Sequence, residues 1–176
     1  AASATASHAR AMIESRFLVA MHRPRSFDEM RVKLLKACSR PSFANTAMFE
    51  KPVGDGKSVV GFSIRFAEEA ARCMGNIAVD VPVLYDGDDC RVIRIEVTDL
   101  ESNTGYAQNV SIAKTVERKR LKKGQAALGE RVNSYGDKVF LVEATEDDML
   151  TKQGAITSKQ IRNGILRLLP GDLLDE

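Results

Sequence analysis

Between residues 114 and 123 the chain reads KTVERKRLKK, six basic side chains and one carboxylate in a 176-residue protein whose formal net charge is only +2. Lys114, Arg118, Arg120, Lys122 and Lys123 combine point charges with forked guanidinium donors. If they leave a sheet on one side, they form a track that neutralises a phosphate backbone. A solvated charged loop uses the same residue types, and the segment alone does not choose. Two other stretches favour phosphate. Near the end of the chain Lys152, Lys159, Arg162 and Arg167 face few acids before GDLLDE, while Gln160 and Asn163 offer neutral contacts to phosphate or base. Opposite the apolar residues of the run from Tyr106 lie Ala107, Asn109, Ser111, Ala113 and Thr115, small and polar as a closely approached surface requires. A plain exposed strand face accounts for them equally well.

Other chemistries find less support. GDGKS around Lys57 ends like a phosphate loop but lacks the upstream glycine and does not lead into a helix, which disfavours ATP-driven strand exchange. His8 and His22 are the only histidines, leaving no H-E-x-x-H and no Ser/His/Asp set. Asp86, Asp88 and Asp89 in DGDD, with Asp80, are the residues a metal-dependent nuclease would use, because hard cations need clustered oxygens. An Asp-Gly hairpin turn explains the same aspartates better. Aromatic residues make up 6% of the chain, with tyrosine only at 85, 106 and 135, which argues against base-stacking capture. Cys38, Cys73 and Cys90 are widely spaced without a C-x-x-C, so a reducing, cytoplasmic setting fits, and no cofactor or metal is called for. No apolar run is long enough to cross a bilayer, and the Ala/Ser-rich start lacks the apolar block of a signal peptide.

The elements that would position these residues follow from periodicity. After the low-complexity start, Ile13, Phe17, Val19, Ala20 and Met21 form a short helix that Pro24 closes. Ser26 and Glu29 spell a capping box for a helix carrying Phe27, Met30, Leu34, Leu35 and Cys38 up to Pro41. KPVGDGKS reads as a hairpin or loop. FSIRFAEEAARCMGN is a helix with Phe62, Phe66, Ala67, Ala70 and Met74 on one stripe, with Arg65–Glu69 and Glu68–Arg72 pairs opposite. Three period-two runs follow: Ile77 to Tyr85, Ile93 to Val97 and Tyr106 to Ile112. They predict a three-stranded antiparallel meander. Residues 122–138 read as a mobile insertion, VFLVEA as a strand, and Thr145 with Asp148 as the cap of a long last helix stopped by Pro170. The expected fold is α+β, with helices on one face of the sheet in a β-β-β-α core. Residues 1–25 are an extension whose helix serves subunit contact, and residues 26–176 are one nucleic-acid-binding domain.

GFSIRFAEEAARCMGNI and ITSKQIRNGILRLLPGD, with the strands between them, resemble the phage single-strand annealing proteins, the group containing RecT, Redβ and Erf. The likeness spans about Ser26 to Asp172. The resemblance implies ATP-independent binding of single-stranded DNA, annealing of complementary strands into duplex, and homo-oligomeric rings or helical filaments. It also implies work beside a phage exonuclease and a host single-strand binding protein in the bacterial cytoplasm, with no bond-breaking catalysis. Carried over residue by residue, it adds Arg65 and Asn76 from the first motif, and Lys159, Arg162 and Asn163 from the second. Departures are Cys73 and Met74, where an aromatic is unsurprising, and the insertion at 122–138. Rival readings are an RNA- or DNA-coating protein without annealing activity, the nuclease above, and an oligomer whose basic segment meets an acidic partner.

Overall fold

The computed structural model describes residues 2–54, 56–122, 124–133 and 136–175. These form an α+β chain with six helices and several antiparallel sheets. The chain divides into two compact units. One contains Ala1–Asp80, Glu96–Ala107 and Ser158–Glu176, and the other contains Val81–Ile95 and Gln108–Thr157. The division expected at residue 25 lies inside the first.

In the first unit, α1 (Ala2–His22) begins eleven residues earlier than the apolar periodicity at Ile13 predicts, because alanine is the strongest helix former and needs no apolar face. α2 (Phe27–Cys38) starts where the Ser26 hydroxyl accepts the Glu29 N–H at 3.4 Å, as its capping sequence predicts. Pro41 ends one helix and opens another, α3 (Pro41–Ala47), since a first helical position needs no N–H. β1 (Met48–Gly54) and β2 (Lys57–Phe62) form the expected hairpin. α4 (Ile64–Met74) is capped by Ser63, whose hydroxyl accepts the Phe66 N–H at 3.2 Å, and ends at Gly75 with φ +68°, where a side chain would be strained.

The core of this unit gathers Met30 and Leu34 of α2, Phe66, Ala67, Ala70 and Met74 of α4, and Val97 of β5 (Cys90–Asp99). Ile165 from α5 (Glu146–Leu168) and Leu173 from α6 (Gly171–Leu174) complete it. Each large side chain so buried stabilises the fold by about 1.5–3 kcal/mol. A Cβ added to Gly164 would lie 2.7 Å from Val97 Cγ2 and 3.0 Å from Tyr106 Cδ1, so only glycine lets α5 sit this close to the sheet. β3 (Ile77–Asp80) pairs antiparallel with the far end of β5, Ile77 opposite Asp99. There Arg25 clasps Asp99 and Glu101, with the Arg25 side chain 5% exposed and that of Asp99 8%.

In the second unit, β4 (Val83–Asp86) pairs antiparallel with the near end of β5. The run from Ile77 to Tyr85, expected as one strand, is thus two strands divided at Val81–Pro82, since proline supplies no ladder N–H. β6 (Thr104–Ala113) also pairs with β5. β7 (Thr115–Arg118), β8 (Gly129–Val132) and β9 (Lys138–Glu143) make a separate antiparallel sheet in the order β7-β9-β8. Within the basic segment 114–123, Thr115–Arg118 is strand β7, with Val116 opposite Val142, so that part is not a solvated loop. Within 122–138, read as a mobile insertion, Gly129–Val132 is strand and pairs in register with Leu141–Lys138. VFLVEA is a strand, as read. Thr145 and Asp148 close a reciprocal cap: the Asp148 N–H donates to Thr145 Oγ1 at 3.2 Å and the Thr145 N–H to Asp148 Oδ2 at 3.1 Å. Among the described residues, no helix is long and apolar enough to cross a membrane.

Candidate nucleic-acid interface

The basic segment does not present a bare row of cations. Lys114 Nζ sits 2.8 Å from Asp86 Oδ1, and the Arg118 guanidinium grips both Asp148 oxygens at 2.6 and 2.8 Å. Lys119 reaches Asp137 at 2.6 Å, and Glu117 takes Arg131 across the sheet. Lys152 donates to the carbonyls of Ala113 and Thr115 at 2.5 and 2.9 Å. Asp86 is held below the usual carboxylate range first by its hydrogen bond from Lys114 and then by that from Arg91. Asp148 is lowered first by the Thr145 N–H and then by Arg118. The open depression of about 530 Å³ beside Arg118 and Lys152 is also lined by Glu117 and Asp148, so its charge is balanced. Arg120 and Lys122 are exposed, and Lys123 lies outside the described residues.

The far half of α5, in the first unit, is arranged differently. With 100° per residue, Lys159, Gln160, Arg162, Asn163 and Arg167 share the side of the helix opposite Ile161, Ile165 and Leu168. Arg162 stacks over the Phe49 ring at 4.7 Å, and its Nε and Nη2 donate to Asn163 Oδ1 at 3.2 and 3.1 Å. Arg167 lies over the Tyr106 ring at 5.1 Å, and the Tyr106 hydroxyl donates to Gln160 Oε1 at 3.2 Å. Phe49 is itself seated on its cross-strand partner Gly61, where a Cβ would lie 3.2 Å from the ring. Among the described residues no carboxylate is within ion-pair reach of Lys159, Arg162 or Arg167. Stacking fixes a guanidinium plane while leaving edge N–H donors for an anion.

Lys159, Arg162 and Asn163 are therefore brought together on one surface. Lys114, Arg118 and Lys152 are engaged within the second unit. Arg65 is exposed on α4 and lines a depression with Arg40 and Arg72. The expected Arg65–Glu69 and Glu68–Arg72 pairs are replaced, because Glu69 takes Arg72 at 2.9 Å and Arg40 at 2.7 Å. Asn76 occupies a left-handed turn at φ +53°, with its amide on the Arg23 carbonyl at 2.8 Å and on Glu101 at 2.5 Å, a structural use. Asp80 pairs with Arg16, and Asp86 with Lys114 and Arg91. No group of three or more His, Cys, Asp or Glu among the described residues is placed to hold a metal ion. The three cysteines are free thiols, and burial pushes Cys38 and Cys73 upward.

Sequence reasoning missed the rings beneath Arg162 and Arg167. Tyr106 was visible as a scarce aromatic. Phe49 is 113 positions from its arginine, and only the hairpin punctuation around it hinted at a placed residue. No protein family, curated protein or solved structure matches the chain.

Proposed function

We propose that this protein binds single-stranded DNA through its phosphates, without ATP, and anneals complementary strands. The observation that carries the reading is the α5 face, where Lys159, Arg162 and Arg167 have no carboxylate partner among the described residues and two guanidiniums rest on the protein's own rings. With Phe49 and Tyr106 covered by arginine, neither is an open platform for a base, so a bound strand is gripped by its backbone. Its base edges stay available to a second strand, as annealing requires.

The same reading assigns the chain to the RecT-like annealing proteins, with a three-stranded meander and α5 as their β-β-β-α core. In its favour, β3 and β4 each pair with β5, β5 pairs with β6, and α5 packs against Val97 and Tyr106 at Gly164. Homo-oligomeric rings or filaments, a phage exonuclease, a host single-strand binding protein and a bacterial cytoplasmic setting come with that assignment. β4 supplies an edge for subunit contact, with Val83, Leu84 and Tyr85 all half or more exposed.

The test is a salt titration of a fluorescein-labelled oligodeoxythymidylate, followed by mixing of complementary oligonucleotides. The three cations of the α5 face alone contribute about −2 to the log-log slope. Addition of the protein should accelerate pairing with no nucleotide present. A flat salt response removes the phosphate reading. Salt-dependent binding without faster pairing leaves a coating protein.

A further inference from the structure

The seam between α2 and α4 carries a charge arrangement that the reading above does not use. Two open depressions of about 320 and 370 Å³ share Arg40 and Arg72. Between them they are lined by Lys33, Lys36, Arg40, Arg65 and Arg72, five cations against the carboxylates of Glu68 and Glu69. None of these residues belongs to the α5 face. Glu29 takes one further cation, Lys33, at 3.2 Å, in an exposed pair of the kind that contributes little.

The two shared arginines are held in place from beneath. Glu69, whose side chain is only 19% exposed, accepts Arg40 on one oxygen and Arg72 on the other. Arg40 is fixed again by its Nε on the Ala37 carbonyl at 3.3 Å and by the Phe43 ring at 5.4 Å. One carboxylate thus orients two guanidiniums without neutralising both. Their side chains remain 56% and 66% exposed, with Lys36 and Arg65 exposed beside them. Preorganised forked donors in excess over acids, on a surface open enough for an extended chain, suit oxygens of successive phosphates better than a single small carboxylate.

We propose that the α2–α4 seam is a second phosphate-binding site, distinct from the α5 face, which takes the backbone of a nucleic-acid strand. Its assignment to a strand, rather than to a free polyphosphate, rests on the nucleic-acid reading of the protein. A protein that grips backbones on two surfaces can hold two strands at once, which is the geometry that pairing of complements needs.

The experiment compares three full-length proteins, each checked for folding by circular dichroism: wild type, Lys36→Gln/Arg72→Gln at the seam, and Lys159→Gln/Arg162→Gln on α5. The probes are the labelled oligodeoxythymidylate and inorganic tripolyphosphate. The seam variant should lose about fivefold or more in affinity for the oligonucleotide, and its salt slope should flatten by about 1.4, two contacts' worth. Lys36→Arg/Arg72→Lys should keep the slope, since it keeps the charge. Wild-type binding of both probes by the seam variant overturns the proposal. Loss of tripolyphosphate binding alone overturns its assignment to a strand and identifies a free polyphosphate as ligand. If the α5 variant binds like wild type while the seam variant does not, the α5 reading fails and the seam stands.

Discussion

Arg118 and Arg162 both lie in stretches whose composition advertises positive charge, yet their surroundings are opposite. Arg118 ends a short strand, and its guanidinium is closed onto both oxygens of Asp148 at the start of α5. Arg162 lies near the other end of that helix, stacked on Phe49 with a neutral asparagine oxygen as its hydrogen-bond partner. The difference comes from the elements around each. Strand pairing and a capping box bring Asp86, Asp137 and Asp148 to the basic segment, because acids favour helix N-termini and charge pairs favour strand neighbours. The last turns of a helix favour cations and repel acids, so the charges there stay uncompensated. Density of lysine and arginine along a chain therefore says little about potential at a surface until the carboxylates that share that surface are known.

The sharpest way to break this contrast is to alter each region in turn. Arg162→Glu/Arg167→Glu should lower affinity for oligodeoxythymidylate by about a hundredfold at about 50 mM salt, since two contacts are lost and two repulsions gained. Lys114→Gln/Arg118→Gln should stay within about threefold of wild type, because those cations already have partners. Fluorescence anisotropy reads both. A reversed ranking would mean that the ion pairs of the second unit open for DNA and that the α5 face is only a structural stack.

How much of this was legible in the sequence depends on the range of the interaction. The caps at Ser26 and Thr145 and the stripes of α2 and α4 are set within four residues, and local patterns find them; the cap at Ser63 is equally local but went unread. β8 was hidden because GERV alternates too briefly to stand out among glycines, and it becomes a strand only through β9. The sealing of Lys114 by Asp86 and of Arg118 by Asp148 joins residues 28 and 30 positions apart, which no local pattern encodes. The α5 site was half visible: Lys159, Arg162 and Asn163 share a helix face by spacing alone, whereas the rings that hold the arginines arrive from other elements. Asp99 and Arg25, the clasp of the first unit, went unread for the same reason. Burial pushes the Asp99 carboxyl up, but Arg25, Ser102 and the Glu101 N–H together hold it below the ordinary range.

A second prediction bears on the arginines' footing. Gly164→Ala should destabilise the protein by up to about 2 kcal/mol, an overpacking cost of about 1–3 kcal/mol against fully buried Val97, less about 1 kcal/mol regained in helix propensity. Denaturant unfolding measures it. Tyr106, the other group the new methyl meets, carries Arg167, so DNA affinity should fall modestly in the same variant. Unchanged stability would show that α5 can move off the sheet without loss.

The smallest effect separates the two regions most directly, because it turns one into the other. Asp86→Asn/Asp148→Asn removes the negative charge from Lys114 and Arg118 while leaving oxygen acceptors in place, and asparagine preserves an acceptor for the Thr145 cap. Two released cations should raise affinity for the oligonucleotide by about two- to fivefold and steepen its salt slope by about 1.4. Acid should do the same to the wild type. Both carboxyls sit below their ordinary range in the folded protein. Their contribution to stability is therefore complete above the unfolded value of about 4 and is lost as pH falls through the lowered folded values. At those pH values the carboxyls take up protons, and Lys114 and Arg118 lose their partners. Thymine does not protonate there, so an oligodeoxythymidylate reports on the protein alone. If the double variant at neutral pH binds no better than wild type, carboxylates are not what keeps DNA from the basic segment, and the contrast between the two regions has another cause.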